Sequence, residues 1–436
     1  MSRAVRLILS IAAVILIALL AHRQAEASDG LLASGAAIGT LLLGAWFTGR
    51  LVALITLPKI TGYLIFGLFA GPYGLQAITH EQLDYLRLIN DFAISLIALT
   101  AGGEIHLALL RKSARTISAI LVMQIVAVMT GVVAVAYLTL PHLVTGVDFG
   151  SNAQLLIIAL LVASVCCLSS PAAVIAVLTE TRAEGPVAGM TLAVTVCKDL
   201  VLIVIFAVVV SVATGVIDPE STRSLVSAST LKTIAVHLLG SLAMGAGVGF
   251  VLAVWLRRVR VQIPLLVVFT CFGIAVVSES LHLEPLLVAL TAGMLVLNAR
   301  EHDAEALFDT VEELSVPVYC IFFALAGAKI NPEALALTWP MALVLVGTRT
   351  ATIWGGTTAG ARLTGLRSNW LPLGYLPQAG VSIALAYAVK ETLSGLPDIS
   401  DAVFTLLLAA ITCNEIAGPA LLKLALVRSG ETQKDA

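Results

Sequence analysis

Long apolar stretches separated by short polar loops make up nearly the whole chain. A helix that crosses the hydrocarbon core of a bilayer needs about 20 mostly apolar residues, and about thirteen stretches beyond the first 30 residues reach or approach that length. The pattern therefore predicts an all-α polytopic membrane protein. The predicted spans are residues 31–50, 57–72, 86–110, 114–140, 153–179, 186–213, 231–256, 262–280, 284–299, 305–330, 338–361, 370–393 and 401–427.

The composition agrees with this class. Of the 436 residues, 59% are hydrophobic and only 12% are charged, about half the charged fraction of a typical soluble domain. The net charge of −2 and the absence of a basic run give no indication of a nucleic-acid partner. The six cysteines all lie in apolar stretches without metal-ligand spacing, which is typical of small buried side chains.

The first 27 residues have a basic start, an apolar run and the sequence Ala25-Glu26-Ala27. This pattern is typical of a secretory signal peptide, and an uncleaved extra N-terminal helix is the alternative. Residues 28–427 are then the membrane domain, and residues 428–436 form a short tail.

Basic residues are concentrated in alternate loops, which predicts the orientation of the chain. With the mature N-terminus outside, the cytoplasmic loops carry Arg50, Lys59, Arg111, Lys112, Arg115, Arg257, Arg258, Arg260, Arg362 and Arg367. The opposite loops are mainly acidic. We therefore expect a multi-pass protein of a bacterial-type inner (plasma) membrane with a cytoplasmic C-terminus.

Three short sequences recur in the same order in both halves of the chain, as expected of an inverted repeat. The last match aligns Asp199 with Glu415. The repeats would cover residues 31–213 and 262–427, six helices each, with residues 231–256 as the linking helix. The matching pairs are LIALTAGGEI (96–105) with IFFALAGAKI (321–330), SSPAAVIAVL (169–178) with YLPQAGVSIAL (375–385), and LAVTVCKDL (192–200) with LAAITCNEI (408–416).

Prolines interrupt the fifth and twelfth spans. Proline removes a backbone donor and clashes with the preceding turn, and in a membrane the freed groups need partners in protein or a wet cavity. Two ordinary kinks are one interpretation. The other is a pair of discontinuous helices that cross near the middle of the bilayer and offer helix ends to an ion. The residues predicted at this crossing are Ser169, Ser170, Pro171, Pro377 and Gln378.

Few ionisable residues lie deep in the predicted spans. A charge at the bilayer centre costs about 2.5–3.5 kcal/mol on insertion scales, so such residues face the protein interior and usually serve a function. An ion pair that only holds helices together is the structural alternative. The residues concerned are Lys198, Asp199, Arg349 and Glu415, with Asp91 and Glu104 as further candidates.

The sixth span places Thr191, Thr195 and Asp199 at i, i+4 and i+8, so they share one helix face that leads to the carboxylate. Lys198 is adjacent in sequence, and i, i+1 neighbours on a helix do not face each other. Each of the two charges therefore needs a partner on another helix. Arg349 is the candidate for Asp199, and Glu415 is the candidate for Lys198 or Arg349.

The chain resembles the cation:proton antiporter-2 superfamily over residues 31–427. The sequences that carry the resemblance are GYLIFGLFAGPYGL (62–75), LIALTAGGEIHLALL (96–110), SSPAAVIAVL (169–178), VCKDL (196–200), FFALAGAKI (322–330) and LPQAGVSIALA (376–386). The resemblance implies a homodimer in which a six-helix core moves against a dimerisation domain. It also implies that Asp199 binds the cation or the proton, that Arg349 pairs with this site, and that Ser169, Ser170 and the stretch around Pro377 and Gln378 form the unwound crossing.

The chain departs from these relatives at Lys198, where they carry Asp, Asn or Gln. This argues against an electrogenic mechanism with two adjacent carboxylates. We expect exchange of Na⁺ or K⁺ for H⁺ without a cofactor, in which Asp199 holds either the proton or the transported cation. A sodium-coupled organic-anion symporter, with Lys198 and Arg349 receiving the substrate carboxylate, and a non-transporting membrane sensor are the alternatives. An enzyme is not predicted.

Overall fold

The computed structural model describes residues 7–8, 10–15, 30–103, 107–144, 147, 149–217, 228–259, 262–281, 283–299, 301–330, 332–366, 368–378 and 380–432. Most of the signal-like segment, Glu104 and the last four residues of the tail lie outside these residues. Within the described residues, all regular secondary structure is helical.

The helices of the first half are α1 (Gly30–Ala53), α2 (Lys59–Ala70), α3 (His80–Tyr85), α4 (Arg87–Gly103), α5 (Leu107–Leu143), α6 (Asn152–Cys167), α7 (Pro171–Thr181) and α8 (Pro186–Ile217). Those of the second half are α9 (Ala228–Arg258), α10 (Ile263–Leu281), α11 (Pro285–Ala299), α12 (Glu301–Ala328), α13 (Pro332–Leu363), a 3₁₀ helix (Leu371–Tyr375), α14 (Gly380–Thr392) and α15 (Pro397–Ser429).

Seven described segments are long and apolar enough to cross a bilayer. Three shorter apolar helices are also present, including α2 and α11. The predicted class, an all-α multi-pass membrane protein, is confirmed. The predicted number of about thirteen spans and the inverted repeat stay predictions.

Local sequence signals explain where several helices begin and end. At the start of α6, Ser151 accepts a hydrogen bond from the Gln154 backbone, and the Gln154 side chain accepts one from the Ser151 backbone. This reciprocal capping box satisfies two donors that a helix start leaves open. At the end of α15, Gly430 adopts a left-handed conformation (φ 74°) and its N–H closes the last turn, which is the usual role of glycine there.

The chain divides into two compact units. The first comprises Met1–Arg111, Ile175–Thr181 and Ala235–Ile330. In it α11 packs along α4, and α12 packs along α2. The α2–α12 contact requires glycine, because a Cβ atom at Gly67 would collide with the Ala324 carbonyl. Asp91 is half-buried on α4, within this unit.

The second unit comprises Lys112–Val174, Arg182–Ile234 and Asn331–Ala436. In it α13 packs against α15, and α6 packs against α8. It contains Lys198, Asp199, Arg349 and Glu415, and all four are buried.

Both helices that the prolines were expected to interrupt are interrupted in this second unit. The first break is residues 168–170, between α6 and α7, where Leu168 has an extended backbone (ψ 148°). The second break is residues 376–378, between the 3₁₀ helix and α14. The backbone N–H of Ser170 donates to the Pro377 carbonyl at 2.8 Å, so the two breaks contact each other directly.

Candidate functional site

Lys198 lies near the middle of α8 and is only 1% exposed. Its Nζ donates to the Ser169 hydroxyl at 2.6 Å and to the Gln124 side-chain oxygen at 3.2 Å. It also lies 5.7 Å from the centre of the Tyr375 ring. The prediction that Lys198 finds partners on other elements is confirmed. These partners are neutral oxygen atoms on α5 and at the first break. Pairing of Glu415 with Lys198 or with Arg349 stays a prediction.

The threonine stripe of α8 is buried as its spacing predicts. Thr191 and Thr195 have no exposed surface, and Asp199 is 8% exposed. Thr191 lies against the 3₁₀ helix, where a Cβ atom at Gly374 would collide with its hydroxyl. The polar face of α8 is therefore enclosed by protein at the level of the second break.

Arg349, on α13, has no exposed surface and binds backbone carbonyl groups at both breaks. Its Nε donates to Cys166 O at 2.8 Å, and its Nη2 donates to Leu168 O at 2.7 Å. At the other break, Nη1 donates to Leu376 O at 2.9 Å, and Nη2 makes a longer contact of 3.3 Å with Tyr375 O. One guanidinium group therefore joins the two breaks.

This arrangement has a simple physical cause. The last carbonyls of a helix have no partner within the helix and carry partial negative charge. The break after α6 leaves such carbonyls inside the protein, where each must find a donor. A guanidinium has five N–H groups in a fixed planar fork, so Arg349 can satisfy several of them at once. Its predicted pairing with Asp199 stays a prediction, since the hydrogen bonds described for Arg349 go elsewhere.

A chain of amide groups extends this network to α15. Asn414 accepts from Arg349 Nη1 at 3.3 Å and donates to the Gln378 side chain at 3.0 Å. Gln378 in turn donates to Val165 O at 3.1 Å. Asn414 was not among the predicted site residues, although the match between LAVTVCKDL and LAAITCNEI aligns it with Lys198. Gln124 had no comparable signal in the sequence.

The serines of the first break have separate tasks. Ser169 donates to Tyr375 O at 2.7 Å, and Ser170 accepts from the Ala173 backbone N–H at 3.1 Å. Ser170 therefore caps the start of α7, where Pro171 is tolerated because a first-turn N–H has no helical partner. Pro377 lies against α15 at Gly418, where a Cβ atom would collide with the backbone of Pro377.

Among the described residues, no group of three or more His, Cys, Asp or Glu side chains could hold a metal ion. The second unit combines two interrupted helices, two buried carboxylates and two buried cationic side chains. This combination is typical of secondary membrane transporters.

Comparison with known proteins identifies the family. The sequence profile described as "Sodium/hydrogen exchanger, transmembrane" matches residues 36–425, and the chain belongs to this family. The resemblance to cation:proton antiporters is thereby confirmed. The family consists of transporters, so the prediction that the chain is not an enzyme and needs no cofactor is confirmed as well.

Individual relatives are distant. The chain is 27% identical over 301 residues to the Na(+)/H(+) antiporter ApNhaP of Aphanothece halophytica, a match that covers 63% of this chain and 56% of that protein. It is 23% identical over 356 residues to the iron transporter MagA of Paramagnetospirillum magneticum, covering 78% and 73%. The structure of the sodium proton antiporter MjNhaP1 from Methanocaldococcus jannaschii matches with a TM-score of 0.66 at 15% identity, covering 92% and 99%. That similarity shows the fold.

Proposed function

We propose that the protein exchanges a monovalent cation, Na⁺ or K⁺, for H⁺ across the membrane by alternating access. The observation that carries the proposal is the buried carboxylate of Asp199, which continues the buried face of Thr191 and Thr195 on α8. The preceding residue on the helix, Lys198, is bonded to the first break. A carboxylate buried within a membrane span usually serves a function.

In this mechanism Asp199 holds either a proton or a cation and never both, so that loading one releases the other. The hydroxyl oxygens of Thr191 and Thr195 are available to replace part of the hydration shell of the cation. The Thr195 hydroxyl supports this role, because it is buried and makes no hydrogen bond to any described residue. Glu415 is the corresponding buried carboxylate of the proposed second repeat.

The division of the chain supports a moving core. The second unit contains predicted spans four, six and eleven to thirteen and most of span five, up to Val174. These spans are the second halves of the two proposed inverted repeats. We propose that this unit carries the ion as a rigid body and that the first unit supplies the dimer contact of a homodimer. The linking helix of the repeat is the predicted span at 231–256.

A contact at the end of the chain supports the predicted orientation. Glu431, just after α15, accepts hydrogen bonds from Val187 N and Ala188 N at 2.8 Å each. Its backbone oxygen accepts from Glu184 N at 3.0 Å. The loop before α8 and the end of α15 therefore lie at the same membrane surface. The distribution of basic residues predicts that this surface is cytoplasmic, and we propose a cytoplasmic C-terminus in the plasma membrane.

Proteoliposomes provide the test of this function. A pH-sensitive dye reports dissipation of a preformed pH gradient when Na⁺, K⁺ or Li⁺ is added. We expect the wild type to respond and Asp199→Asn to be folded but inactive. Asp401→Asn is the matched control, since Asp401 is exposed and pairs at the surface with Lys390 at 2.9 Å. Normal exchange by Asp199→Asn would refute the site assignment.

The same vesicles separate the alternatives. Cation-dependent uptake of a labelled organic acid without proton counterflow would select the symporter. The absence of any flux from a folded wild-type protein would favour the sensor.

A further inference from the structure

We propose that Gln124 and Thr357 are positioning residues that hold the Lys198 amine at the first break and thereby set the cation affinity of the site. This inference deepens the proposed exchange function and depends on it for its effect on transport. It concerns Lys198, where the sequence differs from the Asp, Asn or Gln of the antiporters that it resembles. The positioning itself follows from the hydrogen bonds of the second unit, independently of which ion is carried.

The orientation of the Gln124 amide is fixed by the Thr357 hydroxyl. Thr357 Oγ1 donates to Ile353 O at 2.6 Å, so its proton is already used. It must therefore accept the 2.7 Å hydrogen bond from Gln124 Nε2, because a hydroxyl has only one hydrogen. The Gln124 oxygen is consequently turned toward Lys198, to which it is bonded at 3.2 Å. The opposite amide orientation would place two donors against each other at Lys198.

The second acceptor of Lys198 is fixed in the same way. Ser169 uses its proton in the 2.7 Å bond to Tyr375 O, so its oxygen accepts from Lys198 at 2.6 Å. The lysine amine is therefore held by two acceptors, the Gln124 amide oxygen and the Ser169 hydroxyl oxygen. Thr357 fixes the orientation of the first, and the bond to Tyr375 O uses the proton of the second. Gln124 has no exposed surface and Thr357 is 1% exposed, so water does not compete for these bonds.

This arrangement matters because Lys198 and the transported cation carry the same charge. An amine held by Gln124 and Ser169 is less available to the Asp199 carboxylate, which the cation must reach. Weaker hydrogen bonds to the amine let it compete with the cation for the Asp199 carboxylate. Stronger hydrogen bonds reduce this competition. Gln124 therefore acts through Lys198 and is not itself a cation ligand.

A purely structural role is the competing explanation. The contact between α5 and α13 is close at this level, since a Cβ atom at Gly356 would come within 2.7 Å of Met123 O and 2.8 Å of Gln124 Cα. The Gln124–Thr357 bond could serve only to join these helices. A role in helix packing predicts that every substitution of Gln124 has an effect of the same sign. The test therefore needs two variants for which the positioning role predicts opposite changes in the KM for the cation.

The variants Gln124→Met and Gln124→Glu supply such a test. Met removes the acceptor, and we expect the apparent KM for the cation to rise about tenfold, the effect of losing one hydrogen bond to a charged group, with a smaller change in kcat. Glu places a carboxylate beside the lysine amine, and we expect KM to fall. Thr357→Val releases the Gln124 amide and should raise KM less than Gln124→Met does.

Thr352→Val is the matched control on the same helix. The Thr352 hydroxyl bonds only to carbonyls of its own helix, those of Thr348 at 2.8 Å and Arg349 at 3.0 Å. We expect its KM to equal that of the wild type. If Gln124→Met and Gln124→Glu shift KM in the same direction, or leave it unchanged, the positioning role is wrong and the helix-packing explanation stands.

A second measurement does not depend on transport. Reductive methylation of Lys198, followed by mass spectrometry, reports how tightly the amine is held. We expect faster modification in Gln124→Met and slower modification in Gln124→Glu. Equal rates in both variants would overturn the positioning. A wild type that exchanges no cation would overturn the proposed function instead, and the methylation rates would still decide the placement of Lys198.

Discussion

Replacement of Arg349 by lysine separates two explanations of why a cation is buried at this position. The substitution keeps the positive charge and removes the planar fork. If Arg349 serves as a charge partner for Asp199, as we predicted from the sequence, lysine should largely replace it. If Arg349 holds the two breaks together through their carbonyls, lysine should fail.

The structure gives the size of the expected effect. Arg349 makes hydrogen bonds to four backbone carbonyls and one side-chain amide. A lysine ammonium has three donors, so at least two of these five acceptors lose their bond to residue 349. Tyr375 O keeps its bond from Ser169, so at least one acceptor is left without a partner. A buried acceptor without a partner costs about 1–3 kcal/mol, which is the smallest loss expected. Because whole domains are stable by only about 5–15 kcal/mol, Arg349→Lys should be clearly destabilised.

The assay is thermal unfolding of the detergent-purified protein, monitored by the loss of its monodisperse size-exclusion peak, together with cation/proton exchange in vesicles. Arg362→Lys is the control, since Arg362 lies exposed on the same helix. We expect Arg362→Lys to match the wild type and Arg349→Lys to unfold at a clearly lower temperature without exchanging ions. Wild-type stability and exchange in Arg349→Lys would refute the carbonyl explanation and support the charge pair.

Two further predictions concern the packing around α8 and α15. Glu431→Gln should lower the unfolding free energy by about 1 kcal/mol, because the carboxylate caps the positive start of α8. Glu184→Gln in the same loop should not, and equal thermal stability of the two variants would contradict the cap. Gly418→Ala should destabilise by about 1–3 kcal/mol, because the added methyl group meets the backbone of Pro377. Gly355 has open space around it, so Gly355→Ala should be neutral in the same assay. Equal losses of stability in Gly418→Ala and Gly355→Ala would show that the Pro377 contact is not tight.

The features that follow from local chemistry could be predicted from the sequence. Proline removes a helical hydrogen bond, and the structure is interrupted beside Pro171 and Pro377. The proline rule alone does not select these two positions, because Pro317, Pro340 and Pro419 lie inside continuous helices. Residues at i, i+4 and i+8 share a helix face, and Thr191, Thr195 and Asp199 are all buried. This second rule needs no knowledge of the neighbouring helices.

The partners of the buried cations could not be predicted, because we looked for opposite charges. The breaks themselves change the supply of acceptors. Each interrupted helix leaves carbonyls that would otherwise be bonded within it, and Arg349 is bonded to carbonyls at both breaks. Lys198 likewise uses a hydroxyl at a break and an amide that lies 74 residues away in the chain. A buried basic residue in a chain with broken helices therefore does not by itself imply an ion pair, and the released carbonyls should be considered before a carboxylate is assigned to it.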